Sequence, residues 1–403
     1  SGEALLSHAS YAYDGNGNRI RKQALDGTTL YQYDALNQLQ RVDYPAYSEE
    51  LFYDKAGNRA RRLVGGEEEL YQYDPRNRLM ALTRGGVTAP FQYDNAGNLL
   101  QDDKARYSYD AFNRTVKVET FDGNVQVNRY DAEGLRHEME ENGRLVRFIF
   151  HKGEAVVEHE ENSNVIRLIR GSELIARSSD SESARTYYHY ASDEMGSTTH
   201  IVDESGNVQN RYAYDAWGKI EVKEEAVPNR FTYYGQQIDP ITQQYYLRAR
   251  FYNPVIGRFT QEDTYRGDGL NLYAYCANNP VYYVDPSGLA TSISSDDLNA
   301  LLNRGSQEEI FSTLWNIRTK LLDSNGKLKI DTSLLKDNEL LVGTFAELNN
   351  KNPKLGMVFS FVGDKISPHH MPAGNTLVKI PYPSGSSLNI TEAAHRLTFT
   401  YGL

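Results

Sequence analysis

Tyr71-Gln72-Tyr73-Asp74-Pro75-Arg76-Asn77, residues 71–77, is the stretch whose reading decides the fold. Aromatic and polar residues alternate up to Tyr73, the pattern of a half-buried strand. Asp74 can bond its own downstream backbone, and Asn77 is one of the residue types that best tolerate positive φ. A strand, an acidic turn and a left-handed position in that order predict a β-hairpin.

The same order recurs on both sides. An aromatic-rich segment ends at Asp14, Asp34, Asp54, Asp74, Asp94, Asp110 and Asp131, and the first five of these lie twenty residues apart. Three residues after each stands Gly17, Asn37, Gly57, Asn77, Gly97, Asn113 or Gly134. Alternation then resumes, as in Asn18-Arg19-Ile20-Arg21. One hairpin of about twenty residues cannot bury its aromatic face alone, so stacked neighbours must do it for one another. From Gly143 to Ser183 strand alternation continues but the register is lost. Composition agrees, with 30 Tyr against 14 Phe and 2 Trp, because tyrosine suits a pleated half-buried surface and its hydroxyl can still find a partner.

The remaining composition is mainly restrictive. A net charge of −11 argues against nonspecific attachment of the whole chain to nucleic acid or anionic membranes. The single cysteine, Cys276, excludes an internal disulfide and multi-cysteine zinc chemistry. No apolar run is long enough to span a bilayer, and there is no signal-peptide pattern. His137, His151, His159, His189 and His200 lie singly among polar residues and read as ordinary sheet or surface histidines.

The seven in-register units resemble the YD repeats of Rhs-type proteins, in which hairpins spiral into a β-sheet shell. The resemblance covers roughly residues 1–289. It includes a diverged block from Tyr187 to Ile220, with His189, Asp193, Gly196-Ser197, Asp203, Gly206 and Tyr214-Asp215 at the family's positions. It also includes Tyr245–Leu289, similar to the Rhs repeat-associated core segment that ends in DPxGL, here Asp285-Pro286-Ser287-Gly288-Leu289. The resemblance implies a mostly β chain: a shell fragment over 1–220, a closing segment over 221–289 and a small α+β toxin domain over 290–403.

It further implies that the chain cuts itself between Leu289 and Ala290, with Asp263 and Asp285 as an aspartyl-protease-like pair and Arg258 as the supporting charge. Such a pair needs two carboxylates close enough that one holds a proton while the other activates water. Thr264 follows Asp263 where the family has Pro. Asp285-Pro286-Ser287-Gly288 is also a good turn sequence in its own right.

Composition changes at Ala290, with no tyrosine until Tyr382 and eleven Lys/Arg against eleven Asp/Glu. Helices are expected over about 296–304, over 307–323 and around 345–348, with a β stretch over 357–361. His369-His370 after that stretch, and His395 on an expected helix capped by Asn389 or Thr391, resemble the HNH/endonuclease VII-like toxin nucleases. By that resemblance His369 and His395 bind a divalent ion (Mg, Mn, Ni or Zn), His370 is the general base, and Asn375 or Asn389 orients it. The same imidazoles could serve a metal-independent RNase or another activity, and the shell could be a structural or adhesive module. The resemblance implies DNA as substrate, a cognate immunity protein, delivery by a secretion system, action in a target-cell cytoplasm, and further shell or a secretion component as partner.

Overall fold

The computed structural model describes residues 8–161, 165–171, 173–180, 185–266 and 269–293, and beyond them four short strands. The chain divides into two compact units, 1–291 and 292–403.

The first unit is a meander of antiparallel strands. A nine-stranded sheet runs from Ala9–Tyr13 to Val87–Pro90, and a fourteen-stranded sheet from Gln92–Tyr93 to Ile220–Glu225, every strand lying beside its sequence neighbours. In the repeat quoted above, Glu67–Tyr73 pairs with Leu79–Arg84, and the register slips between Gln72 and Tyr73. Asp74 Oδ1 accepts the amides of Arg76 at 3.0 Å and Arg78 at 2.9 Å, while Asn77 adopts φ 63°. Each Asp therefore builds a bulged turn that adds twist to the sheet.

The structure also explains why the last aromatic of each repeat is Tyr rather than Phe. Tyr73 donates its hydroxyl to the Arg59 carbonyl at 2.9 Å, Tyr53 to Leu39 at 2.7 Å, Tyr33 to Arg19 at 2.7 Å and Tyr130 to Thr115 at 2.8 Å. Every acceptor is the first residue of the strand after the preceding turn. Neighbouring turns are linked as well, Asn58 Nδ2 donating to Asn77 Oδ1 at 2.9 Å and Asn98 Nδ2 to Asn113 Oδ1 at 2.9 Å. Where the sequence register is lost, Lys152-Gly153 takes the place of a bulged Asp turn, while Asn142-Gly143 closes the opposite end as Gly65-Gly66 and Gly85-Gly86 do in the regular repeats. Asn142-Gly143 joins Glu141 to Arg144 and Lys152-Gly153 joins His151 to Glu154, all four turn residues having positive φ.

The meander returns on itself. Glu194, in the turn of the diverged block, accepts the Tyr11 hydroxyl at 2.5 Å and pairs with Lys22 at 3.2 Å and with Arg19, all on the first hairpin. The segment after Glu225 then packs against the repeat turns. Asn271 Nδ2 donates to Asn58 Oδ1 at 2.8 Å, Asn278 Nδ2 to the Gly57 carbonyl at 2.7 Å, Asn279 Nδ2 to Asn18 Oδ1 at 3.0 Å and the Tyr273 hydroxyl to the Gly97 carbonyl at 2.8 Å. The segment carries four strands of two or three residues, Gln237–Ile238, Tyr245–Tyr246, Phe251–Asn253 and Arg258–Phe259. Aromatic stacking holds them, with Tyr252 and Tyr275 at 3.8 Å between ring centroids. Beneath them Arg136 and Asp239, both fully buried, form a two-pronged ion pair with both contacts at 2.7 Å.

A second buried acid has a pH-dependent consequence. Asp215 Oδ2 lies 3.8 Å from Arg62, whose Nε holds Glu49 at 2.6 Å. Burial, and then the Glu49 charge, push the Asp215 carboxyl up to about 7. A carboxyl raised in the folded state contributes stability that is full below its unfolded value near 4 and is lost as pH climbs to about 7. Asp215→Asn keeps the Oδ1 acceptor used by the Trp217 and Lys219 amides. Relative to wild type, the variant should therefore gain on the order of 2–4 kcal/mol between pH 4 and pH 7 and nothing further above it. Parallel curves of urea midpoint against pH would contradict this assignment.

Beyond Ile293 the described residues are four strands in two pairs, Glu339–Leu340 with Phe361–Val362 and Leu377–Pro381 with Ser387–Thr391. Asn389 sits opposite Lys379 in the second pair, so it is a strand residue and does not cap a helix. The alternation of Leu377-Val378-Lys379-Ile380 against Leu388-Asn389-Ile390 favours the hairpin at that place. The expected helices lie outside the described residues.

Candidate functional site

Asp263 and Asp285 come together. Asp263 Oδ2 lies 2.7 Å, and Asp285 Oδ2 3.6 Å, from one nitrogen of a third side chain, Arg250 Nη2. All three are nearly fully buried, at 5 % exposure or less. The guanidinium stacks on Phe259, its central carbon 3.5 Å from the ring centroid, and Nη1 donates to the Leu272 carbonyl at 3.1 Å. A buried cation between two buried carboxylates offsets their desolvation.

The guanidinium beside the two carboxylates belongs to Arg250, and the expected Arg258 lies elsewhere. Arg258 instead faces the repeats, with Nη2 on the Asn77 carbonyl and its guanidinium over the rings of Tyr73 and Tyr273 at 4.7 and 5.1 Å. Arg250 and Arg258 each directly precede a Phe, and Arg248 lies two residues before Arg250. Nothing in their spacing ranks them. Arg248 itself adopts a left-handed backbone, φ 64°.

The Asp285-Pro286-Ser287-Gly288 turn forms as expected. Asp285 Oδ1 accepts the amides of Gly288 at 2.8 Å and of Ser287 and Leu289 at 3.2 Å each. The three carbonyls that follow Asp285 are held by three successive residues of one loop: Pro286 by Arg248, Ser287 by the Ala249 amide at 3.1 Å, and Gly288 by Arg250 Nε. Gly288, at φ 72°, leaves no room for a side chain, since an added Cβ would sit 2.5 Å from the Leu247 carbonyl oxygen. The turn function and the carboxylate pairing are therefore compatible.

Past the clamp Leu289 is half-buried and Ala290 exposed. A cleft beside the pair is lined by Arg250, Asp263, Leu272, Asp285 and Thr291. Thr264 is exposed, and Asp263 Oδ1 takes the Tyr265 amide at 2.7 Å, so the Asp263 turn closes without the family's Pro. The arrangement supplies the parts for acid–base work on a nearby peptide bond: two carboxyl groups, a shared cation and a fixed backbone.

His369, His370, Asn375 and His395 lie outside the described residues, and of Asn389 only the backbone is described. Among the described residues no three His, Cys, Asp or Glu are grouped to hold a metal ion, and no helix is long and apolar enough to cross a membrane.

Comparison with known proteins points one way. The tRNA nuclease WapA of Bacillus subtilis is 33% identical over 201 residues, which is 46% of this chain and 8% of that protein. The double-stranded DNA deaminase toxin A of Burkholderia cenocepacia is 30% identical over 210 residues, 47% of this chain and 14% of that protein. The chain thus spans a small part of the length of these relatives. Among solved structures, the Photorhabdus luminescens Tc holotoxin pore superposes with a TM-score of 0.51 at 16% identity, over 70% of this chain and 17% of that one. TcdB2-TccC3 without its hypervariable C-terminal region gives a TM-score of 0.51 at 18% identity, over 71% of this chain and 17% of that one. These two likenesses concern the fold. The Teneurin YD-shell family matches residues 16–281, nearly the whole meander and its closing segment, and the chain belongs to that family.

Proposed function

We propose that this chain is the closing part of a polymorphic toxin, a β shell that carries a C-terminal enzyme and severs it after Leu289. The observation that carries the reading is the Asp263–Arg250–Asp285 cluster, buried beside a clamped turn that ends two residues before an exposed Ala290. One carboxyl takes a proton from water as its oxygen attacks the Leu289 carbonyl carbon, and the other delivers a proton to the departing Ala290 nitrogen. The products are a Leu289 carboxylate and an Ala290 amine. Arg250 positions both carboxylates and the Gly288 carbonyl.

For the severed part, the reading is a His-dependent metal nuclease acting on DNA. It is supported by the donor set in the sequence: His369 and His395 are imidazole ligands of a kind that Zn, Ni or Mn accepts, and His370 is a neighbouring base able to take a proton from water. The bound ion would lower the pKa of that water. An RNA substrate is the second reading, favoured by the tRNA nuclease among the relatives. Delivery by a secretion system into a target-cell cytoplasm, a cognate immunity protein and further shell belong to the same proposal.

Incubating the full chain with plasmid DNA, and separately with tRNA, in Mg, Mn, Ni or Zn tests it. EDTA should stop cleavage, and His370→Ala should slow it by about 100-fold or more. Intact nucleic acid in every metal, with His370→Ala indistinguishable from wild type, would leave the shell as a structural or adhesive module.

A further inference from the structure

Arg59 and Arg258 of the first unit are buried, and among the described residues neither forms a salt bridge with a carboxylate. Arg59, the first residue of the strand Arg59–Val64, is 4% exposed, and among the described residues its Nε, Nη1 and Nη2 make no hydrogen bond. Its guanidinium lies 4.1 Å over the Trp217 ring and presses on Gly257, where an added Cβ would sit 2.3 Å from Nη2. The carboxylate of Glu49 is bonded to Arg62 Nε at 2.6 Å instead. Arg258, the neighbour of Gly257, is also 4% exposed and has no salt bridge among the described residues; its Nη2 goes to the Asn77 carbonyl, its guanidinium lies against Tyr73, and its Nε makes no hydrogen bond among those residues.

Both arginines line one niche, together with Asn58, Tyr73 and Asn271, that has room for about one water-sized particle. Buried charges are ordinarily paired, because an unpaired one costs several kcal/mol of lost hydration. Bridging waters would satisfy the N–H groups but bring no negative charge to two guanidinium groups that have no bonded carboxylate among the described residues. We infer that this niche is a binding site for a small monovalent anion of halide size, chloride under ordinary conditions, held between the Arg59 and Arg258 guanidinium groups. The ion would fasten the third repeat, which supplies Asn58 and Arg59, to the closing segment, which supplies Arg258 and Asn271. It would thus be part of the seat on which the closing segment rests.

The test uses the full chain. Crystals grown without halide and soaked in sodium bromide should show an anomalous bromine peak between the two guanidinium groups. The wild-type Tm should be about 2–4 °C higher in sodium chloride than in sodium methanesulfonate at equal ionic strength. Arg59→Met, which keeps the stacking volume and removes the charge, should abolish that difference. If this variant does not fold, the wild-type bromide map and anion series decide the matter. The absence of a bromine peak, or a peak with no chloride dependence of Tm, which would mark an adventitious ion only, overturns the assignment.

Discussion

Replacing Asp285 by Asn is expected to leave the chain whole, migrating near 45.7 kDa on a denaturing gel, while the wild type is expected to run as two fragments. Asn retains an Oδ1 able to accept the Gly288, Ser287 and Leu289 amides that the turn requires. What it lacks is a carboxyl that can take or give a proton. Removing one member of such a pair should slow scission by at least about 100-fold, so the variant separates the proposed catalytic role of Asp285 from its turn-forming one. Asp263→Asn should have the same effect, since the amide keeps the Tyr265 N–H contact but cannot serve as acid or base. Equal processing of wild type and both variants would reduce Asp263, Arg250 and Asp285 to a structural ion cluster.

Asp239→Ala has the largest effect expected on stability. Arg136 and Asp239 are both 0% exposed and share two contacts of 2.7 Å, and Gln126 adds a third hydrogen bond to Asp239 at 2.6 Å. Truncating the acid strands a fully buried guanidinium, at a cost of about 3–5 kcal/mol. For a unit of this size that is a fall in Tm on the order of 10 °C. Asp239 belongs to the closing segment and Arg136 to a repeat strand, so the loss would loosen that segment from the sheet. Thermal unfolding of the two proteins at equal pH measures it, and a difference below about 2 °C would show that the Tyr246 and Phe251 rings, 4.4 and 5.4 Å from the Arg136 guanidinium, suffice to hold it.

The two predictions differ in how visible their residues are in the sequence. The repeat was readable because each of its parts is local: alternation up to Tyr73, the Asp74 turn and the positive φ of Asn77 lie within seven residues. The pairing of Asp263 with Asp285 came from a motif and not from geometry, and the structure brings those residues to one guanidinium nitrogen. Arg250 was missed because its role is set by contacts with Gly288 and Leu272, distant in sequence and reached through a left-handed turn at Arg248. The bond from each repeat Tyr to the preceding unit was illegible for a similar reason. Composition signalled an excess of Tyr, but only the register slip shows where the hydroxyl goes. Tertiary contacts likewise divide Arg136, paired with an acid, from Arg59, which has no salt bridge among the described residues.

The central claim is that the clamped turn from Asp285 to Gly288 presents one particular peptide bond for cutting. Intact mass and N-terminal sequencing of the C-terminal fragment released by the purified wild-type chain test it most directly. A fragment opening Ala290-Thr291-Ser292, absent from Asp285→Asn, is the predicted result. A single uncut mass, or a fragment whose first residue lies elsewhere and which persists in the variant, would contradict it.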